Sequence, residues 1–237
     1  ENDKLAEVCD GLYRADEQAS VADEAYDNAF EEAVGGGIGA WRLRTVYEDE
    51  ENDEDDRQRI RFEPIFDADS SVFFDLNAKR QDKSDAKYCF VVSSMTRESY
   101  KETYGDDPTD WPKIIHQYEF DWGTPDVVFV AEYYKIEEKT ETIRIFQAID
   151  GTEERYTTKD FQNDETLEAT LYAIGTTEVR QKRVKRMRVH KYIMSGGKVL
   201  EDAGYIAGKC IPIVVVYGKR WFVDNIERCM GAVRLAK

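Results

Sequence analysis

The sequence predicts an α+β fold of mainly antiparallel strands, opened by a helical segment. Three observations predict it. About nine stretches carry the β-branched and aromatic runs of strands, against three or four helical ones. Strands and helices do not alternate strictly, as a parallel βα sheet requires. The three-and-four spacing of apolar residues that marks an amphipathic helix is confined to the first helical segment.

That first segment covers 3–34. Leu5, Val8, Leu12, Ala15, Ala19, Ala22, Tyr26, Ala29 and Ala33 share one seam, whose alanines permit close approach but bury little area. Ser20-Val21-Ala22-Asp23 reads as a capping box that divides the segment near Ser20, and Gly35-Gly36-Gly37 ends it. A strand is expected over 38–47. Residues 48–56 hold eight acids in nine positions, whose mutual repulsion predicts a solvated loop. Strand signals return at 60–66 and 72–74, with a turn at 67–71, and a buried-type strand follows at 88–93. Thr96 caps a short helix that stops at Gly105. Residues 106–125, with three prolines and two tryptophans, read as an irregular loop. Residues 127–137 and 140–149 read as a hairpin, followed by an Asp150-Gly151 turn. A helix over 161–174 ends at Gly175, and a long basic strand covers 178–194. Residues 195–198 turn into a short strand near Val199. Pro212 opens an edge-type strand over 211–217, and a helix begins at 229. The domain reading is a helical segment at 1–35, an α+β body at 36–226, and the start of a further helix at 227–237.

The chain has 237 residues, 41% of them hydrophobic and 12% aromatic, enough to build a core. No stretch approaches the roughly 18–20 apolar residues that span a bilayer. Lys and Arg number 33 against 49 Asp and Glu, a formal net charge of −16. That balance argues against a protein that wraps DNA, whose binding face needs cations to displace counterions. The excess is local, because residues 1–60 carry 19 acids and 6 bases. The first residue is not Met, so the reading is that a segment precedes it.

The chemical candidates are few. Cys9, Cys89, Cys210 and Cys229 are too far apart for a zinc or disulfide framework and read as reduced thiols. The glycine run at 35–39 follows a helix and precedes a strand, the reverse of a phosphate-binding loop. The acidic run and the Asp67/Asp69 pair lack the Ca²⁺-loop pattern and read as solvated loops. His116 and His190 have no catalytic frame around them, and ordinary hydrogen bonding is the default for both. No catalytic, cofactor or metal residues are assigned. Seven cations crowd into 180–191: Arg180, Lys182, Arg183, Lys185, Arg186, Arg188 and Lys191. In an extended strand, Arg180, Lys182, Arg186 and Arg188 share one face with Val184. Arg183, Lys185 and Lys191 share the other with Met187 and Val189. Three readings stay open: contact with nucleic-acid phosphates, pairing with an acidic segment such as 48–56 in the same or a neighbouring subunit, and a solvated face.

Five motifs, in order along the chain, point to a family. They are Gly37-Ile38-Gly39-Ala40-Trp41-Arg42-Leu43 with Tyr47-Glu48-Asp49, Phe74-Asp75-Leu76-Asn77 with 82–89, the basic strand at 180–192, 206–214, and Gly231-Ala232-Val233-Arg234-Leu235. Together they resemble the portal protein of short-tailed double-stranded DNA phages; 48–58, 104–126 and 150–175 depart from it. The resemblance implies a fragment of about a third of a portal subunit, mostly its outward-facing wing, with the last helix leading toward stem and clip. It implies a structural, non-enzymatic role in a dodecameric ring at a capsid vertex, made in the bacterial host cytoplasm. DNA passes through such a ring, and terminase, scaffold and head-completion proteins act as its partners, with no membrane involved. Alone, this region is expected to be monomeric or weakly associated, with the basic strand in ion pairs within the wing or between subunits. The competing readings are an acidic binding or inhibitor module and a metal-dependent hydrolase.

Overall fold

A computed structural model describes residues 2–48, 57–105, 121–124, 126–164, 166–196 and 198–235. Mainly antiparallel sheets with helices at the start make it α+β, as the sequence predicts. The chain divides into two compact units, one of 1–136 with 189–237 and one of 137–188.

In the first unit, α1 (Asn2–Ser20) and α2 (Ala22–Gly35) break where expected, though not by the expected cap. Val21 adopts a left-handed conformation with φ 52°, and the Ser20 hydroxyl donates back to Asp16 O at 2.7 Å instead of capping α2. The seam is used only in part. Ala22, Ala25, Ala29 and Ala33 are buried, whereas Leu5, Val8 and Leu12 are 64%, 58% and 62% exposed.

Helix α2 lies on a three-stranded sheet ordered β2-β1-β9, formed by β1 (Ile38–Tyr47), β2 (Gln58–Ile65) and β9 (Ile213–Tyr217). All pairings are antiparallel, with Leu43 opposite Phe62 and Ile38 opposite Tyr217. Pro212 stands just before β9, where a missing N–H costs no ladder bond. Tyr13, Tyr26, Trp41 and Phe62 form an aromatic cluster with centroids 5.2–6.1 Å apart, edge-to-face where the two tyrosines meet Trp41 or Phe62 and tilted between Trp41 and Phe62. The helix approaches so closely because Gly39 has no side chain: a Cβ there would sit 1.9 Å from Ala29 O.

The second sheet runs β3-β4-β5-β7-β8, with β6 also paired to β5. Its strands are β3 (Val72–Phe74), β4 (Tyr88–Thr96), β5 (Val127–Gln147), β6 (Glu153–Thr157), β7 (Thr177–Ser195) and β8 (Lys198–Ile206). Ala40, Ile65, Val72, Cys89, Val91, Tyr134, Val189 and Ile213 form the main core of the first unit. A smaller cluster packs Tyr100 of α4 (Arg97–Tyr104) with Val128 and Val130 of β5. Thr96 caps α4 by accepting from Ser99 N at 3.2 Å, and Gly105 ends it with φ 65°, both as expected. Short α3 (Ala68–Ser71) occupies part of the expected turn, where the Glu32 carboxylate accepts from Asp67 N and Ala68 N at 2.7 and 2.9 Å.

Three expectations are corrected. Residues 127–147 form one strand, not a hairpin, because Glu137-Glu138-Lys139-Thr140 offers no residue suited to the positive φ of a tight turn. The helix expected over 161–174 is two short ones, α5 (Thr158–Asn163) and α6 (Leu167–Ala173). The helix expected from 229 starts at Ala232, as α7 (Ala232–Leu235). It follows a hairpin of β10 (Lys219–Val223) and β11 (Ile226–Met230), closed by Asp224 and Asn225 at φ 49° and 63°.

In the second unit, Phe146 is fully buried among Tyr156, Phe161 and Tyr172. The Arg144 guanidinium lies 4.8 Å from the Phe161 ring centroid and pairs with Glu168 and Glu178, both at 2.6 Å. Hydrogen bonding to Arg144 holds both carboxyls below their ordinary range.

Candidate interaction surface

Strand β7 carries every cation of the basic cluster, and alternation assigns each to a face. In the second unit, Lys185 pairs with Glu138, while Arg186 and Arg188 both reach Glu141 at 2.9 and 3.5 Å. That shared partner agrees with the expected common face of Arg186 and Arg188. The Glu141 side chain is only 8% exposed, so these contacts are shielded from water on the acid's side. Arg180, Lys182 and Arg183 are exposed, and none pairs with a carboxylate among the described residues.

In the first unit, Lys191 turns inward. It reaches Glu132 at 3.2 Å and lies 5.6 Å from the Tyr134 ring centroid. Glu132 also accepts from Arg42 at 2.9 Å and from the Tyr134 hydroxyl at 2.7 Å, and Arg42 reaches Glu63 at 2.9 Å. Burial alone would raise the Glu132 carboxyl. The Arg42 and Lys191 charges, with the Tyr134 hydrogen bond, outweigh burial and hold it below the ordinary range. Burial likewise pulls Arg42 down, and the charges of Glu132 and Glu63 push it up overall. Lys191 is therefore part of a half-buried ion network, and its role differs from that of the exposed cations.

The acids that answer the basic strand sit on β5, in the stretch read from sequence as a hairpin. A single strand carrying Glu132, Glu138 and Glu141 was the missed signal. The other proposed partner, the acidic run, lies outside the described residues except for Glu48, which pairs with Arg59 at 2.6 Å and Arg57 at 3.7 Å. The 106–125 reading, with His116, also lies outside them apart from 121–124. His190 is satisfied by hydrogen bonding, with Asp202 at 2.6 Å and the Tyr192 hydroxyl at 3.0 Å.

A second charged cluster went unread. Lys83, 6% exposed and at φ 52°, pairs with Glu227, which also takes Arg220. Arg220 lies 5.2 Å from the Tyr217 ring centroid and 4.9 Å from that of Phe222. Two carboxylates shape the loop that presents Lys83. Asp75 accepts from Asn77 N at 2.9 Å, and Asp85 accepts from Lys79 N at 2.6 Å. Asp75, Asn77, Lys83 and Asp85 belong to the motifs at 74–77 and 82–89, so those motifs build a loop clamped to β10 and β11.

The four cysteines are free, with Cys89 buried and its thiol raised by burial. Among the described residues, no three His, Cys, Asp or Glu side chains converge on a metal-sized site. No described helix is long and apolar enough to cross a membrane.

The phage P22-like portal protein family model matches residues 1–237. The portal protein of Acyrthosiphon pisum secondary endosymbiont phage 1 is 39% identical over 236 residues, which covers 99% of this chain and 32% of that relative. The chain thus spans about a third of the length of the curated relative it matches. With the family model matched from end to end, this chain belongs to the phage P22-like portal protein family.

Proposed function

We propose that this region serves a portal ring at a capsid vertex of the virion as a structural part, and that the exposed cations of β7 help hold neighbouring subunits together. The observation that carries the reading is the row Arg180, Lys182 and Arg183, unanswered by any carboxylate among the described residues in a chain of net charge −16. A neighbouring copy supplies acids in excess, and ring contacts join different surfaces of identical subunits. In this reading, 1–35 is a helical segment, 36–226 a wing-like body, and 227–237 leads toward the channel-lining stem. The ring, a dodecamer, passes DNA during packaging and ejection. It offers docking sites to terminase, scaffold and head-completion proteins, and no catalytic step is assigned to this region.

The test reverses charge at Lys182, Arg183 and Lys185 together in the whole natural chain. Ring assembly, followed by light scattering and sedimentation, is expected to fail or stall at small oligomers. Normal rings with lost DNA affinity would overturn the reading and make the strand a phosphate contact.

A further inference from the structure

Two apolar features of the first unit are left without a partner among the described residues. Helix α1 presents Leu5, Val8 and Leu12 at the i, i+3, i+7 spacing of one helical face, each more than half exposed. Elsewhere in the unit lies a cavity of about 780 Å³, walled by Leu43, Ile136, Ile211 and Val214. That volume is within the range of sites that enclose several apolar groups.

We propose that α1 of one copy docks its Leu5-Val8-Leu12 face into this groove on the next copy. The inference rests on the ring reading above and names one pair of surfaces within it. Charge favours this occupant. Residues 2–20 carry Asp3, Glu7, Asp10, Asp16 and Glu17 against Lys4 and Arg14. The groove carries Arg44, Lys83, Lys191 and Lys209 against the single acid Asp82. Glu227 answers Lys83, Glu132 answers Lys191, and Glu63, shared with Arg42, answers Arg44 only in part at 3.4 Å, so Lys209 and the surplus on Arg44 supply the outward positive field. A helix entering a groove through spaced apolar anchors is a recurrent mode of recognition. The two surfaces differ, so the contact is head-to-tail, the kind that closes into a ring.

The chain carries its own reporters. Cys9 stands on α1 and Cys210 lines the groove, and both are exposed. The experiment mixes isotope-labelled and unlabelled copies of the whole natural chain, lets them assemble, and treats them with a short bismaleimide. Mass spectrometry is expected to find Cys9 of one copy linked to Cys210 of another, seen as mixed-label peptide pairs. Replacing both exposed leucines, Leu5→Asp with Leu12→Asp, is expected to cut that yield by about tenfold or more, and Val214→Asp on the groove side should do the same. Normal rings that give no mixed-label link, or a link untouched by these substitutions, would overturn the helix-in-groove contact and leave the ring reading standing. Failure of the unaltered chain to form rings at all would overturn both.

Discussion

Glu132 accepts a hydrogen bond from Arg42 at 2.9 Å, and this contact joins a strand of the six-stranded sheet to a strand of the three-stranded sheet. Both side chains are about one-fifth exposed, and Lys191 and Glu63 complete the network. Removing one member of such a network leaves the opposite charge short of both water and partner. Glu132→Ala is expected to destabilise the protein by on the order of 2 to 4 kcal/mol, read from denaturant unfolding. Arg42→Ala with Glu132→Ala together should cost less than the sum of the single changes.

Acid should act through the same group. The folded-state pKa of Glu132 is depressed, so its contribution is present above the ordinary carboxylate range and is lost as pH falls through the folded value. Glu168 and Glu178 shift in the same direction beside Arg144. Thermal midpoints measured from about pH 7 to about pH 3 are expected to drop as pH crosses the normal Glu range near ~4.3 and below, and Glu132→Gln should flatten part of that drop.

Glu227 anchors Lys83 and Arg220 at once. Lys83 is nearly buried, so Glu227→Ala strands its charge, and a loss of about 3 kcal/mol is expected. Lys83→Met with Glu227→Leu, which removes the buried pair while keeping volume, should restore part of it, with Arg220 still lacking its carboxylate. Proteolysis within 75–87 is the local readout, since freeing this loop should raise its cleavage rate.

Gly39→Ala drives a methyl group into the Ala29 carbonyl oxygen, 1.9 Å away. Helix α2 must then lift from its sheet, and a loss of about 3 kcal/mol is expected by thermal or chemical unfolding. Gly35→Ala, where a Cβ meets nothing within 4 Å, should be nearly neutral and is the control.

Thr96→Ala removes the side-chain oxygen that accepts from Ser99 N at 3.2 Å. The expected cost is about 1 kcal/mol, with Thr96→Ser close to the unaltered protein.

Legibility from the sequence followed the range of the forces involved. The α2 end at Gly35, the Thr96 cap, the Gly105 stop and the β7 strand were read correctly, because capping, turn chemistry and alternation act over a few residues. The hairpin expected within 127–149 failed for a local reason, the lack of turn residues at 137–140, and for a long-range one. Glu138 and Glu141 look like loop acids until Lys185, Arg186 and Arg188 are placed beside them. The cluster of Lys83, Glu227 and Arg220 was invisible because Lys83 lies 144 residues before Glu227. The basic strand was found from its composition alone. Which of its cations are answered within the chain depended on the neighbouring strand.

The meeting of Gly39 with Ala29 has a genetic consequence. Most packing defects can be relieved by a smaller neighbour, but here the atom struck is a main-chain oxygen that every residue possesses. A suppressor search starting from Gly39→Ala should therefore yield no rescue at position 29. Any revertant must restore glycine or move the whole helix.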